Sequence, residues 1–249
     1  MVDYESDAQL AQYLLFHYGK REEILPYSFG PVDALYFSVR CAELGARWSQ
    51  KQGRALDLGC AVGRATFELA KNFGEVIGLD ASRRFIATAN QLKQNGELSY
   101  SFPLEGELVE KFVAQVPSDI AKERVTFVHG DACQLDSKLG AFDLVLMANL
   151  IDRLPEPKRC LEKISSFLSN KGILLMTSPY TWLETVTAKE EWLGGIKRDE
   201  KSIFTFEAIL SLLQSDFELL ERSDMPFLIR EHARKYQWSV AQATVWQKR

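Results

Sequence analysis

The segment best equipped for chemistry is Asp57-Leu58-Gly59-Cys60-Ala61-Val62-Gly63, where an apolar run, Ala55-Leu56-Asp57-Leu58, turns into a helical period over 64–72. Glycine at such a turn lets the backbone approach a ligand closely, and the helix that follows offers free N–H groups. Asp80 ends the next apolar run, Glu75-Val76-Ile77-Gly78-Leu79-Asp80, 21 residues after Gly59. An acid there is placed to accept from both hydroxyls of a ribose. Asp131 follows a third run, Val125-Thr126-Phe127-Val128, where a carboxylate can take the exocyclic amine of adenine. Each sign has a plainer meaning alone: a tight turn, a helix cap at Asp57, a solvated loop acid at Asp131. Three acids at three successive strand ends together point to an adenosyl ligand.

Spacing narrows that ligand. A dinucleotide site asks for GxGxxG, whose middle glycine admits the pyrophosphate; here the pattern is GxxxG, with Ala61 in the middle. No GK[ST] follows, so a phosphate-cradling P-loop is excluded. S-adenosyl-L-methionine, which carries an amino acid tail and a sulfonium but no phosphate, suits the loop, with Asp57 toward its amino group. The expected cofactor contacts are Asp57, Gly59, Cys60, Ala61, Gly63, Arg64, Asp80, Ala81, Asp131, Ala132 and Asn149. Cys60 is read as small-residue packing beside the cofactor rather than a nucleophile.

These residues need a frame. A chain of 249 residues makes one large domain, or one domain with an elaboration, and 46% apolar with 26% charged residues is ordinary for a globular protein. No stretch approaches the roughly 20 apolar residues of a membrane span. The acidic start Met1-Val2-Asp3-Tyr4-Glu5-Ser6-Asp7 lacks the pattern of a secretory leader, so a cytoplasmic location is expected. A net charge of −4 argues against binding nucleic acid through phosphate contacts. Cys41, Cys60, Cys133 and Cys160 form no CxxC pair, and His17, His129 and His232 have no metal-site spacing, so no metal is expected.

The chain reads in three parts. Residues 1–52 are expected as an N-terminal helical cap or lid: Ser6 with Gln9 suggests a capping box before one helix, and a second runs over roughly 32–50, beyond the Pro26 and Gly30-Pro31 breaks. From 53 onward strands alternate with helices. Ser82 caps a helix running to about Gln94, Phe142–Ala148 is the fourth strand, a helix covers about 157–168, and Ile173–Thr177 is the fifth strand. Nearly continuous apolar strands mean a parallel sheet covered on both faces. Past a helix near 205–214, Phe217–Leu220 and Ser239–Trp246 would close it as an antiparallel pair. The expectation is an α/β, Rossmann-like, mostly parallel seven-stranded sheet with one antiparallel strand, residues 53–249 forming the cofactor-binding core of a single compact domain. Residues 95–124 read as an unusually long connection.

The arrangement resembles class I S-adenosylmethionine-dependent methyltransferases. Longer strings narrow the likeness: Tyr13-Leu14-Leu15-Phe16-His17-Tyr18-Gly19, Leu25-Pro26-Tyr27-Ser28-Phe29-Gly30-Pro31, Ala148-Asn149-Leu150-Ile151-Asp152-Arg153-Leu154, Thr177-Ser178-Pro179-Tyr180-Thr181-Trp182-Leu183 and Met225–Lys235. They resemble the 5-thiohistidine (5-mercaptohistidine) N-methyltransferases of ovothiol biosynthesis, in many relatives the C-terminal domain of a bifunctional sulfoxide synthase. Tyr36 and Ser38 interrupt a stretch that the family writes more like Asp-Phe-Pro. The synthase's iron-binding histidine motif has no counterpart, so the resemblance implies a stand-alone methyltransferase, monomeric or homodimeric, fed by a separate sulfoxide synthase. It implies methylation of the π nitrogen of 5-thiohistidine, giving ovothiol A and S-adenosyl-L-homocysteine.

Such a reaction needs position rather than a strong base, because a neutral imidazole lone pair attacks an already activated methyl. The residues after the fourth and fifth strands and in the tail are the candidates. Asn149 would bond the imidazole or the cofactor, and Asp152 a ring N–H or the substrate ammonium. Tyr180 and Trp182 would form a ring wall, and Arg230 would pair with the substrate carboxylate. His232 would meet the thiolate or shuttle a proton, and Tyr27 and Phe29 would close a lid. Asn149, Asp152, Tyr180 and His232 are the catalytic candidates among them. The plainer readings are a surface pair at Asp152-Arg153, core packing at Trp182, a solvated face around Arg230 and His232, and a helix-face residue at His17. Another imidazole or thiol acceptor, a nonenzymatic adenosyl-ligand sensor, and a nicotinamide oxidoreductase (disfavoured by the missing glycine) are the competing functions.

Overall fold

Order along the chain follows local signals. In the computed structural model, which describes residues 4–249, Ser6 caps α1 (Asp7–Tyr18) by accepting from the Gln9 N–H at 3.3 Å. Residues 1–3 of the expected cap lie outside the described residues. A short α2 (Arg21–Ile24) follows. The helix expected over 32–50 is split: Val32–Ala34 makes a single 3-10 turn, and Tyr36, at φ 57, redirects the chain before α3 (Phe37–Trp48). That left-handed residue keeps its own ring at the surface and turns Phe37 into the core.

The alternating segment then runs β1 (Arg54–Leu58), α4 (Arg64–Leu69), β2 (Glu75–Asp80) and α5 (Arg83–Asn95), the last capped by Ser82. Residues 97–115, expected as connection, form a hairpin of β3 (Glu97–Glu105) and β4 (Leu108–Gln115) turning at Gly106. Phe102 and Phe112 bury their rings against Ala11 and Leu15 of α1, whereas Leu108, Val109 and Val113 stay exposed. β3 keeps a period-two alternation (Leu98, Tyr100, Phe102, Leu104), but in β4 Leu108, Val109 and Val113 put apolar residues on both faces and blur the pattern by which the pair is recognised.

The chain continues through β5 (Val125–His129), β6 (Phe142–Ala148), α6 (Pro157–Ile164), β7 (Leu168–Ser178), a small hairpin of β8 (Ile196–Arg198) and β9 (Lys201–Ile203), α7 (Thr205–Leu213), β10 (Phe217–His232) and β11 (Lys235–Lys248). One seven-stranded sheet has the order β10-β11-β7-β6-β1-β2-β5. The pairings from β7 to β5 are parallel, and β11 is antiparallel to both its neighbours. This is the expected Rossmann-like sheet. Its central strands are buried on both faces, under α3, α4 and α5 on one side and α6 and α7 on the other. The last two strands are far longer than expected. Beyond Gln242, where β11 leaves β7, the two continue as a free-standing ribbon that packs on α1. Among the described residues, no helix is long and apolar enough to cross a membrane.

Candidate active site

The loop after β1 is built around reversed backbone. Gly59 has φ +72, and a Cβ there would lie 2.8 Å from the Leu150 side chain. Its N–H donates to the Leu79 carbonyl at 2.8 Å, and the Cys60 N–H donates to the same oxygen at 3.1 Å. Asp80, at the tip of β2, accepts from the backbone N–H groups of Ala61 and Ser82. Asp57 is buried and accepts from the Thr66 hydroxyl at 2.7 Å. Burial pushes the Asp57 carboxyl up to about 7, with the nearby Asp80 charge adding to the rise. Burial also raises Asp80, against the backbone N–H groups that favour its charge.

These tips open into a cavity of about 900 Å³, at the upper end of the roughly 300–1,000 Å³ of small-ligand sites. Asp57, Gly59, Cys60, Ala61, Asp80, Ala81, Asp131 and Ala132 share one side of its wall. Asp131 stands two residues beyond the end of β5, where its oxygens accept from the Cys133 N–H at 2.8 Å and the Gln134 side-chain amide at 2.9 Å. The glycine cradle, carboxylates at three successive strand tips and a neutral loop backbone fit an adenosyl amino acid and offer no pyrophosphate seat.

The other side of the cavity begins at Asn149, held at φ 51 after β6. Its N–H donates to the Thr177 carbonyl at 2.9 Å, and the Thr177 hydroxyl donates to Asn149 Oδ1 at 3.1 Å, which fixes the amide plane. Asp152, also on the wall, is 1% exposed and fully engaged. Oδ1 accepts from Ser178 Oγ at 2.8 Å; Oδ2 accepts from the Thr181 N–H, the Thr181 hydroxyl and Arg153 Nη1. Asp152, expected as a catalytic substrate contact with a surface pair as the plainer reading, is a buried clamp joining the turn after β6 to the turn after β7. Further wall comes from Tyr4 and Glu5 before α1, Gln12, Phe16 and His17 of α1, Phe37 and Ser38 of α3, and Phe227, Ile229, Gln237 and Ser239 of the terminal ribbon.

Two descriptions of a methyltransferase domain match the chain, one over residues 56–176 and one over residues 117–247. The chain belongs to the methyltransferase-domain family. Its sheet is that of the class I S-adenosylmethionine-dependent methyltransferase fold. Similar solved structures include the magnesium protoporphyrin IX methyltransferase ChlM of Synechocystis with bound S-adenosylhomocysteine (16% identical, 90% of this chain and 91% of that one, TM-score 0.54). The N-methyltransferase NodS of Bradyrhizobium japonicum, also with S-adenosylhomocysteine, is 15% identical over 96% of this chain and 98% of its own (TM-score 0.54). The [4+2]-cyclase SpnF is 23% identical with a TM-score of 0.51; the match covers 75% of this chain but only 60% of the cyclase. No curated protein sequence matches the chain.

In this methyltransferase several expected contacts lie away from the cavity wall. Gly63, at φ +86, is needed for packing, since a Cβ there would lie 2.5 Å from the Phe127 ring. Arg64 pairs with Glu68 at 2.6 Å and covers the Tyr18 ring. Tyr180, at φ 54, packs into the core beneath α7 and shares a hydrogen bond with the Gln242 side chain; burial pushes its hydroxyl up to about 12. Its neighbours Pro179 and Thr181 line the cavity instead. Trp182 stacks on Trp192 and donates from Nε1 to the Thr205 hydroxyl at 3.1 Å.

Arg230 is not on a solvated face. It is buried, donates to the carbonyls of Glu23 and His232, and lies over the Phe102 ring. It therefore ties α2 and β3 to the terminal ribbon rather than facing an acceptor carboxylate. His232 sits at the ribbon's turn, its Nδ1 accepting from the Arg234 N–H. Tyr27 stacks on Phe29, which is 72% exposed, and its hydroxyl reaches the Ala233 carbonyl at 3.4 Å. Sequence reasoning missed the wall residues of α1, α3 and the ribbon. Only the strings Tyr13–Gly19 and Met225–Lys235 carried a signal for them, and those strings did not say which members face inward.

Proposed function

We propose that the protein transfers a methyl group from S-adenosyl-L-methionine to the π nitrogen of 5-thiohistidine, giving ovothiol A and S-adenosyl-L-homocysteine. One observation supports this acceptor class above others: apart from Glu5 near Asp80 and Arg153 paired with Asp152, the chamber beside the cofactor seat is walled by aromatic rings and uncharged polar groups, and every aspartate of the cavity is already engaged. Thr66 holds Asp57, backbone N–H groups hold Asp80 and Asp131, and Ser178, Thr181 and Arg153 hold Asp152. Such a wall suits an acceptor that brings its own lone pair at neutral pH, as an imidazole does, better than an alcohol or an ammonium, which must first lose a proton.

The bound cofactor supplies an activated methyl on a sulfonium. Asp57, Asp80 and Asp131 hold its amino, ribose and adenine groups, with Gly59, Cys60 and Ala61 as floor. Phe16, Phe37 and Phe227 form the apolar side of the chamber and exclude water. The oriented Asn149 amide leaves its NH₂ for a carboxylate, and its Oδ1 keeps a lone pair to accept from the ring N–H, which leaves the other ring nitrogen's lone pair free to attack. As the N–C bond forms, the electron pair of the C–S bond returns to sulfur, and the ring then releases a proton to solvent. Residues 4–52 act as the cap, because α1 lies along the cavity. A separate sulfoxide synthase in the same cytoplasm supplies the thiolated ring.

The test is a mass-spectrometric product assay with S-adenosylmethionine and synthetic 5-thiohistidine, with histidine and ergothioneine as controls. Gain of one methyl by 5-thiohistidine alone is expected. Methylation of a control instead assigns another small acceptor, and tight cofactor binding without turnover on any of them assigns a sensor.

A further inference from the structure

One ring on the cavity wall has no hydrogen-bond partner among the described residues. His17, in the last turn of α1, lines the cavity, and neither of its nitrogens meets a donor or acceptor among the described residues. Nδ1 is sealed from solvent. The ring therefore opens onto the cavity through the edge that carries Nε2. It is held between aromatic neighbours, with the Tyr13 centroid 5.8 Å and the Phe16 centroid 5.4 Å away.

A neutral imidazole has one N–H and one lone pair. A sealed N–H without a partner is rarer in proteins than an underused lone pair. That preference puts the lone pair on Nδ1 and the proton on Nε2, facing the cavity. Burial, with the Arg64 guanidinium close by, pushes the ring's pKa down to about 3. At neutral pH His17 is an uncharged donor and takes no proton from a substrate.

Charge decides what such a donor would meet. Asp57 and Asp80, at the strand tips, repel an anionic group and attract a cationic one. Glu5 lines the cavity on the Asp80 side, whereas the α1 wall at Phe16 and His17 carries no acid, and Arg64 lies near the His17 ring, paired with Glu68, which also binds Lys71. An α-amino acid group laid across the cavity would turn its ammonium toward the tips and its carboxylate toward α1.

We propose that His17 is a positioning residue whose Nε2–H donates to the carboxylate of an α-amino acid group bound in the cavity. Both the cofactor's tail and an amino acid acceptor carry that group. The proposal rests on the cavity being the seat of S-adenosylmethionine and not on which acceptor is used.

The test compares the full-length protein with His17→Gln, whose amide keeps a donor near Nε2, and His17→Phe, which keeps only the ring. Calorimetry measures affinity for S-adenosylhomocysteine and for 5′-methylthioadenosine, which lacks the amino acid group; kinetics measure KM and kcat for 5-thiohistidine. Phenylalanine is expected to lose about tenfold on one carboxylate-bearing ligand and nothing on methylthioadenosine, with glutamine restoring most of it. Weaker S-adenosylhomocysteine binding assigns the cofactor's carboxylate; a raised KM with that affinity intact assigns the acceptor's. The proposal is overturned if phenylalanine changes neither, if methylthioadenosine weakens equally, or if glutamine fails as badly as phenylalanine. Absent turnover by the unaltered protein would sink the 5-thiohistidine reading alone. The calorimetry would then decide for His17, with unchanged S-adenosylhomocysteine affinity overturning it.

Discussion

The Asp80 carboxylate reaches back 19 residues along the chain, Oδ2 accepting the Ala61 N–H at 2.8 Å, while Oδ1 accepts the Ser82 N–H at 2.8 Å. The tip of β2 thus holds the turn after β1 and the start of α5 at once. Each oxygen keeps a further lone pair for a ribose hydroxyl, so one side chain both shapes the seat and contacts its occupant.

Asp80→Ala removes both roles. S-adenosylhomocysteine affinity should fall by about 1–3 kcal/mol, and amide hydrogen exchange should rise at 59–63 in the ligand-free protein. Unchanged affinity in calorimetry would take Asp80 out of the site.

Asp57 gives the protein a pH dependence of known sign. Its carboxyl titrates at about 7 when folded against an ordinary 3.8. Between those values the folded state holds the extra proton, so this group's contribution to stability falls as pH rises through about 7. Binding the cofactor's ammonium favours the charged form, so affinity should climb toward neutral pH and level off above it. Asp57→Asn should be the more stable ligand-free protein at about pH 8, with weaker and flatter cofactor binding. A native binding curve flat from about pH 5.5 to about pH 8.5 would contradict the assignment.

Asp152 joins two turns. Its replacement by alanine should lower unfolding free energy by about 1–3 kcal/mol, because Ser178, Thr181 and Arg153 lose a shared buried acceptor. Denaturant titration checks this. An unaltered midpoint with a raised acceptor KM would instead restore Asp152 as a direct substrate contact.

Arg230→Ala should loosen the contact of α2 and β3 with the terminal ribbon. Proteolysis and hydrogen exchange around 21–24 should increase, while acceptor KM in the folded fraction stays within about twofold, since no charged substrate hydrogen bond is lost. A large, selective rise in KM would show that the guanidinium meets the acceptor after all.

The cofactor side of the cavity was legible because its parts lie close together in sequence and obey simple rules. Strands buried on both faces read as apolar runs, and ligands collect at their carboxyl ends. Leu58, Leu79 and Val128 mark those ends, with Asp57 just before the first, Asp80 just after the second and Asp131 three residues past the third. The acceptor side was not legible, because Phe16, Phe37 and Phe227 come from three distant segments, each of which looks like ordinary amphipathic structure by itself. Nor does residue type reveal prior commitments. Arg230 and Asp152 have the right chemistry for a substrate, but their groups are spent on Glu23 and Thr181. His17 looked like a plain helix-face residue, yet neither of its ring nitrogens is committed among the described residues.

The terminal ribbon separates two tasks that a catalytic loop usually combines. Its lower half closes the sheet against β7, and its overhang presents Phe227 and Ile229 opposite Ser239 and Gln237 on one face. Exchanging side chains at those alternate positions would leave every sheet pairing and the nucleoside's berth intact. Changes at these positions would reshape the chamber from two adjoining strands, with Phe227 constrained by its packing on Phe16 and Phe37.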